Sequence, residues 1–492
     1  MTEIKRNQHE DKDNGIFFPL KAKIFYRKFY SVLIFISGLL LFVFTLFVAY
    51  KELSPEWKNY QAEYKELLIK KAKDGAVKVI ARSLDFKIPQ IYLGSRKKVD
   101  RCTSCHMGVE NPLMVNVPIV YKQHSGDYLE DHPADRFGCT ICHNGQGRAT
   151  STKEAHGTGR DIYWDYPIIP FKYIQSSCAQ CHDFEMLKQN GAEIVAEGEK
   201  LFRERGCKGC HKLNGVGGLL GKALDNIGSQ PFAYFPMRYV KGERTVYSWH
   251  RQHFADPRNM VPESEMRAFL NDEESDFLTT YILTLKSEDQ KFICIRQSRK
   301  EVMDGESLYK MYCIACHTTG KYSVYDEIFK RTIPAVMNPA FLKTVDNKLL
   351  KKIIEEGRGQ TPMTAWKADA AGLADGEINR IIKYITRNRP KEKPEPFQFS
   401  KFKGNIGQGE ELFKVRCARC HGAEGEGGED FLGISLKNPV VEKEADPEFI
   451  AITIRDGRKG TPMAAFGKNG VGLEDQTIVD IVTYVRALSS EK

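Results

Sequence analysis

Twelve of the thirteen cysteines and six of the twelve histidines in this 492-residue chain fall into one recurring pattern. Cys102, Cys105 and His106 form its first copy, Cys139, Cys142 and His143 its second, and Cys178, Cys181 and His182 its third. The fourth is Cys207, Cys210 and His211, the fifth Cys313, Cys316 and His317, and the sixth Cys417, Cys420 and His421. Each is Cys-x-x-Cys-His, whose two thiols add to the vinyl groups of a haem while the adjacent imidazole becomes an axial ligand of its iron. A random chain of this composition would hold about 0.01 copies, so six copies demand a chemical reason. Structural zinc sites need four ligands from paired knuckles and no histidine after every second cysteine. Disulfide scaffolds belong to short, loop-rich secreted chains. Six covalently bound haem c groups are expected.

The elements around the last three copies share one plan. Residues 192–205 read as a helix running into Cys207, and residues 272–285 as a second helix closing that segment. Gly305 to Tyr312 leads into Cys313 and Asp375 to Ile385 closes that unit; Gly409 to Val415 leads into Cys417 and Glu474 to Leu488 closes the last. An internal repeat runs at an offset of 100 residues: Asn338-Pro339 matches Asn438-Pro439, Gly357-Arg358 matches Gly457-Arg458, and Gly372-Leu373 matches Gly472-Leu473. Thr361-Pro362-Met363 matches Thr461-Pro462-Met463 in the same way. These three units resemble class I cytochrome c domains, in which an N-terminal helix carries the haem motif, a methionine on a later loop completes the iron, and a C-terminal helix packs across the first. The resemblance implies Met363 and Met463 as iron ligands. In the first unit Val261-Pro262-Glu263-Ser264-Glu265-Met266 resembles the P-x-S-x-M form of other such domains and implies Met266, with Met260 as the rival. A linker, residues 387–403, with Pro390, Pro394 and Pro396 among charges, separates the last two units.

Ser31 to Tyr50 is an uncharged apolar run of membrane-spanning length, since about 20 residues at about 1.5 Å each match a hydrocarbon core of about 30 Å. It is too long for the h-region of a cleaved signal peptide, and no A-x-A site follows. Lys21, Lys23, Arg27 and Lys28 precede it, so the positive-inside rule puts residues 1–30 in the cytoplasm and the rest outside. Haem attachment of this kind belongs to that outer, periplasmic face of the cytoplasmic membrane. After the span, residues 51–84 read as one long polar helix, an amphipathic stalk with Trp57, Tyr60 and Tyr64 at helical spacing. The formal net charge of +9 is modest for the length, and no basic run interleaves with aromatics, so nucleic acid is not indicated.

The six remaining histidines are His9, His124, His132, His156, His250 and His253. His9 lies in the tail. His124, His132 and His156 sit in the stretch that carries three motifs and no T-P-M sequence, so the count suggests three bis-His irons, with Met107, Met114 and Met186 as rival ligands. Their assignment to particular haems is open. His250 and His253 read as ordinary polar residues near the haem edge of the first class I unit; the alternatives are replacement of Met266 or action on a substrate. Cys294, the thirteenth cysteine, reads as an idle thiol.

Residues 137–148, with His132-Pro133 before and Ala155-His156-Gly157 after, resemble membrane-anchored multihaem cytochrome c subunits of bacterial quinol-oxidising complexes of cytochrome bc or bd type; residues 101–111 fit the same group. The resemblance covers about residues 90 to 185 and implies a cytochrome b or bd-type membrane partner. The expected fold class is mainly α. A cytoplasmic tail (1–30) and transmembrane anchor (31–50) lead into a stalk (51–84) and a trihaem block of low regular structure (85–190). Class I domains follow at 191–290, 300–390 and 404–492. The expected function is electron transfer between a quinol-oxidising partner and a soluble electron carrier, a terminal reductase or an oxidase. The alternative is a multihaem reductase or peroxidase with one open iron; a haem-based sensor is disfavoured because the tail is too short for an output domain.

Overall fold

The computed structural model describes residues 20–93, 98–159, 164–267, 270–286, 303–359, 361–428, 431–437 and 439–488. His9, Cys294 and Asn438 lie outside them. Packing divides the chain into two units, Met1–Pro167 and Ile168–Lys492.

In the first unit, helix α1 (Leu20–Leu53) contains the apolar run, and every side chain from Tyr26 to Leu53 is exposed. Phe35 is 72% exposed, an arrangement suited to hydrocarbon and unfavourable in water. The hydroxyls of Ser31, Ser37 and Thr45 donate to the carbonyls of Arg27, Ile34 and Leu41 at 2.8–3.0 Å, which leaves these side chains satisfied within the helix, as a lipid environment requires. The single long helix expected after the span is broken. Pro55, which has no N–H to continue the ladder, separates α1 from α2 (Glu56–Lys71), and Asp74 caps a separate α3 (Gly75–Arg82) by accepting from Ala76 N at 2.7 Å. Nor is α2 a free stalk. Trp57, Gln61, Tyr64 and Leu68 are buried along one face, and Tyr64 and Leu68 pack with Ala81, Met114 and Tyr121.

Beyond α3 a short antiparallel hairpin, β1 (Ile91–Leu93) with β2 (Lys98–Asp100), delivers Asp100 to the first motif. From there to α4 (Thr152–His156) the described chain holds only 3-10 turns and single helical turns.

In the second unit the same helix pair recurs three times. The partners are α5 (Glu193–Glu204) with α7 (Asp272–Ile282), α8 (Gly305–Tyr312) with α10 (Asp375–Ile385), and α11 (Ile406–Arg416) with α13 (Asp475–Ala487). Gly198, Gly305 and Gly409 sit at the crossings, where a Cβ would strike the carbonyls of Phe277, Arg380 and Asp480. Four residues on from each glycine an aromatic ring meets a tyrosine of the closing helix: Phe202 with Tyr281 at 5.0 Å, Tyr309 with Tyr384 at 5.4 Å, Phe413 with Tyr484 at 5.3 Å. The first repeat also carries α6 (Val246–Ala255), and the second and third carry α9 (Asn347–Glu356) and α12 (Pro447–Asp456) before their methionine loops.

The third motif packs on the first repeat. Cys178 joins Ala179, Leu187 and Val195, and Tyr173 donates to Asp276 of α7 at 2.6 Å. Gly217 N donates to Ala371 O at 2.8 Å, joining repeats one and two. Asn338 Nδ2 donates to Lys459 O at 3.0 Å and Phe341 meets Phe449 at 6.5 Å, joining two and three. The proline-rich linker lies folded on the last repeat, with Phe397 only 2% exposed in its core and Arg455 donating to Glu395 O at 2.7 Å.

Candidate haem sites

All six motifs adopt one conformation. In each the histidine N–H donates to the carbonyl of the first cysteine at 2.9–3.0 Å. The N–H of the second cysteine, which is Cys105, Cys142, Cys181, Cys210, Cys316 or Cys420, donates to that same carbonyl at 3.0–3.2 Å. One turn of helix therefore places both sulfurs and the imidazole together six times over.

The histidine rings are fixed through Nδ1. His211 bonds the Lys222 carbonyl at 2.8 Å, His317 that of Pro334 at 3.2 Å and His421 that of Ile434 at 2.8 Å. His106 likewise reaches the Val120 carbonyl. A ring that donates from Nδ1 presents Nε2 to a metal. Burial lowers the pKa of His106, His143, His211, His317 and His421, which favours the neutral form a metal needs. Gly221 N donates to Cys210 O at 2.8 Å and Gly433 N to Cys420 O at 2.7 Å. These glycines pack so close to the rings of His211 and His421 that no side chain fits at either position.

Opposite two of the motif histidines stand two of the expected distal histidines. His106 faces His156 with ring centroids 6.1 Å apart, and His143 faces His124 at 6.2 Å. A metal-bound imidazole nitrogen lies about 2 Å from its ion, and its ring centre about 1 Å further, so two imidazoles holding one ion from opposite sides would have centroids about 6 Å apart. Both pairs fit an iron between them. His124 donates from Nδ1 to Ser125 O at 2.9 Å, which leaves Nε2 for a metal. His132 contacts Tyr128 O through Nδ1 at 3.1 Å. Among the methionine rivals, Met114 is fully buried in the core beside α2, Met107 packs at the edge of the same cluster, and the Met186 sulfur lies 3.1 Å from His182 Nδ1, on the side of the ring away from the iron-binding nitrogen.

Helix α2 holds the first pair from both sides. Gln61 Nε2 donates to Ser104 O inside the first motif at 2.9 Å. Glu56 accepts from Thr152 N at 3.0 Å and Thr152 Oγ1 at 2.7 Å, fixing the start of α4, at whose end His156 stands. Asp100 ties the first two motifs together. It is fully buried; its Oδ1 accepts from Cys102 N at 3.0 Å, and its Oδ2 accepts from Cys139 N and Thr140 N at 2.8 Å. Burial alone would raise its pKa, but these N–H donors outweigh that and hold it below the usual value. The Asp100, Cys102 and Cys139 donor atoms lie within 4.8 Å of one another, close enough to suggest a metal trio, but Asp100 already spends both oxygens on N–H groups. Sequence reasoning passed over Asp100 and the polar face of α2; the only sequence signal was an aspartate two residues before a motif.

The methionine loops repeat atom for atom. Met363 N and Met463 N each donate to a threonine Oγ1, Thr361 and Thr461, at 3.2 Å, while Arg358 N and Arg458 N donate to Met363 O at 3.0 Å and Met463 O at 2.8 Å. Gly357 and Gly457, at φ +69° and +63°, turn the chain from α9 and α12 into these loops. Met266 N donates to Ser264 Oγ at the same 3.2 Å, so its local turn copies the other two. Met260, by contrast, is fully buried with Phe235, Met237 and Trp249. His250 and His253 lie on α6 among rings: His253 stacks on Trp249 at 4.5 Å and His250 on Phe254 at 5.9 Å. Burial pushes His250 down to about 3 and His253 to about 4, so both are neutral.

Motifs also touch one another. The Cys210 and Cys316 side chains lie close together, Gly209 packs against Tyr312 O and Ala315, and Arg267, next to Met266, reaches Ala315 O and Asp326 in the second repeat.

The family described as "Cytochrome C oxidase, cbb3-type, subunit III" matches residues 300–385 and 404–485, and that described as "Cytochrome c" matches residues 195–286. A cbb3-type cytochrome c oxidase subunit CcoP of Azospirillum sp. (strain B510) is 26% identical over 203 residues, covering 38% of this chain and 62% of that protein's length. The chain thus spans less than two thirds of this curated relative. A chain of the reducing HAO-like protein complex of Kuenenia stuttgartiensis aligns over 37% of this chain and 94% of its own, at 19% identity and a TM-score of 0.26. The chain contains cytochrome c domains that bind haem covalently, and is a multihaem c-type cytochrome of electron transfer with an apolar N-terminal helix long enough to span a membrane.

Proposed function

We propose that this chain is a hexahaem conduit anchored in the cytoplasmic membrane, with residues 1–30 in the cytoplasm and the bulk on the periplasmic face. It carries electrons between a quinol-oxidising membrane partner of cytochrome b or bd type and a soluble carrier, a terminal reductase or an oxidase. Haem bound at each motif, from Cys102 and Cys105 to Cys417 and Cys420, supplies one-electron redox chemistry. The observation that carries the reading is the pair of imidazole couples, His106/His156 and His143/His124, each spaced to fill both axial positions of an iron. A metal closed on both faces by protein has no place for a substrate and can only accept and release electrons.

On this reading His132 completes the distal histidines by count, and Met266, Met363 and Met463 serve the class I domains at 191–290, 300–390 and 404–492. Residues 85–190 carry the three N-terminal motifs. Asp100, and the packing of Gly209 on Tyr312 O and Ala315, hold successive motifs side by side, which a hopping path requires. The likeness to a cbb3-type oxidase subunit supports an oxidase among the partners. His/Met ligation raises potential over bis-His ligation, so electrons run from the N-terminal motifs toward the three repeats. Purification in mild detergent should bring a polytopic haem b protein with the chain, and potentiometry should find the His/Met centres at highest potential. Recovery as a clean single subunit, or His/Met centres at lowest potential, contradicts it.

A further inference from the structure

The interface between the last two repeats holds two cations without a counter-charge. Arg358 and Arg458 are equivalent in the 100-residue repeat, and each opens a methionine loop through its own N–H. Their side chains turn toward the neighbouring repeat. Arg358 Nη2 donates to Ser435 O at 2.7 Å, one residue beyond the Ile434 carbonyl that fixes His421. The Arg458 guanidinium lies over Phe341 at 4.6 Å and near Phe449 at 5.7 Å.

Among the described residues neither arginine pairs with a carboxylate, and Arg358 Nε is enclosed without any partner. Both side chains are half-buried where the two repeats meet. Two desolvated like charges with an orphaned donor are unfavourable unless an anion joins them. A guanidinium's planar fork matches a carboxylate in two parallel hydrogen bonds. The anion that the motifs at Cys313 and Cys417 bring to this place is the pair of propionate carboxylates each haem carries.

We infer that Arg358 and Arg458 form one shared clamp for the haem propionates of the second and third repeats, reaching from each repeat to the other. The inference rests on haem attachment at these two motifs. A shared clamp couples the two centres: removing either positive charge leaves carboxylate charge uncompensated and favours the oxidised state of both.

The test uses the full-length haem-loaded protein and the variants R358Q, R458Q, R358K and N338S. Covalent haem is counted by mass and midpoints are read by optical titration. R358Q and R458Q should each keep the haem count yet lower both midpoints, cutting the reduced-to-oxidised ratio at fixed potential about tenfold, or ~59 mV for one electron. R358K keeps the charge and should retain most of the potential. N338S, which removes the Asn338–Lys459 hydrogen bond without changing charge, should leave both midpoints in place. If R358Q fails to fold, R458Q, whose described contacts are ring faces, carries the test. Unchanged midpoints at full haem content, or an equal shift in N338S, overturns the clamp. Wild-type protein lacking haem on Cys313 and Cys417 would instead overturn the haem reading itself.

Discussion

On the proposed reading His156 and His124 each serve a different iron, since their rings lie beside different motif histidines, His106 and His143. Replacing His156 with alanine should convert one of six irons from low-spin to high-spin, and His124→Ala should do the same to a different one. His253→Ala should convert none, because on the proposed reading Met266 closes the iron at His211 and His253, though near enough to His211 for the two to repel, stacks on Trp249. Quantitative EPR of the three variants checks this. Asp100 offers a second residue-level prediction. Asp100→Ala would strand three enclosed N–H groups and cost about 3 kcal/mol or more in chemical denaturation. Because its folded pKa is held low, its contribution is full above about pH 4 and is lost as pH falls through the folded value. The six Cys-x-x-Cys-His motifs were legible in the sequence because their spacing along the chain is short and fixed, and all six fold alike. The approach of His156 to His106 was not legible, because the two meet across 50 residues of turns with no periodicity to read.

At the scale of elements, the helix pairs announced themselves. Gly305–Tyr312 and Asp375–Ile385 were readable to the residue, since amphipathic spacing and acidic first turns mark such helices. The region after the span misled, because helical periodicity from Lys51 onward conceals what Pro55 and Asp74 do to the backbone. Its buried face, Trp57 to Leu68, packs on the haem-binding region because Gln61, Glu56 and Tyr64 find backbone and side-chain partners there. The crossing glycines carry a prediction: Gly409→Ala forces α11 away from Asp480 O and should destabilise the last repeat by about 1–3 kcal/mol in thermal unfolding. Helix α6 carries another. His250 is fully buried and neutral when folded but protonates near pH 6.5 when unfolded, so stability falls as pH drops below that value. Between about pH 6.5 and about pH 4.5 the loss is about 2–3 kcal/mol, and His250→Phe, which keeps the ring packing, should abolish it.

Over the whole molecule, the proposed reading of a tethered conductor draws on the exposed apolar α1, the two histidine pairs and the three repeats. The kinship of the last two repeats was readable from the 100-residue offset, whereas the packing of one repeat on the next was not. It depends on Asn338, Arg358 and Phe341 meeting partners in the third repeat, pairs that carry no mark in a single sequence. The linker's three prolines suggested a spacer, yet Phe397 anchors it in the last core because an apolar ring has nowhere better to go. The most direct measurement is low-temperature EPR on the detergent-solubilised wild type, with irons quantified by spin state and ligand type. Three bis-His and three His/Met low-spin centres with no high-spin signal are predicted. A stoichiometric high-spin centre that binds CO rapidly when reduced would contradict the closed-iron conductor and make that haem a site of catalysis.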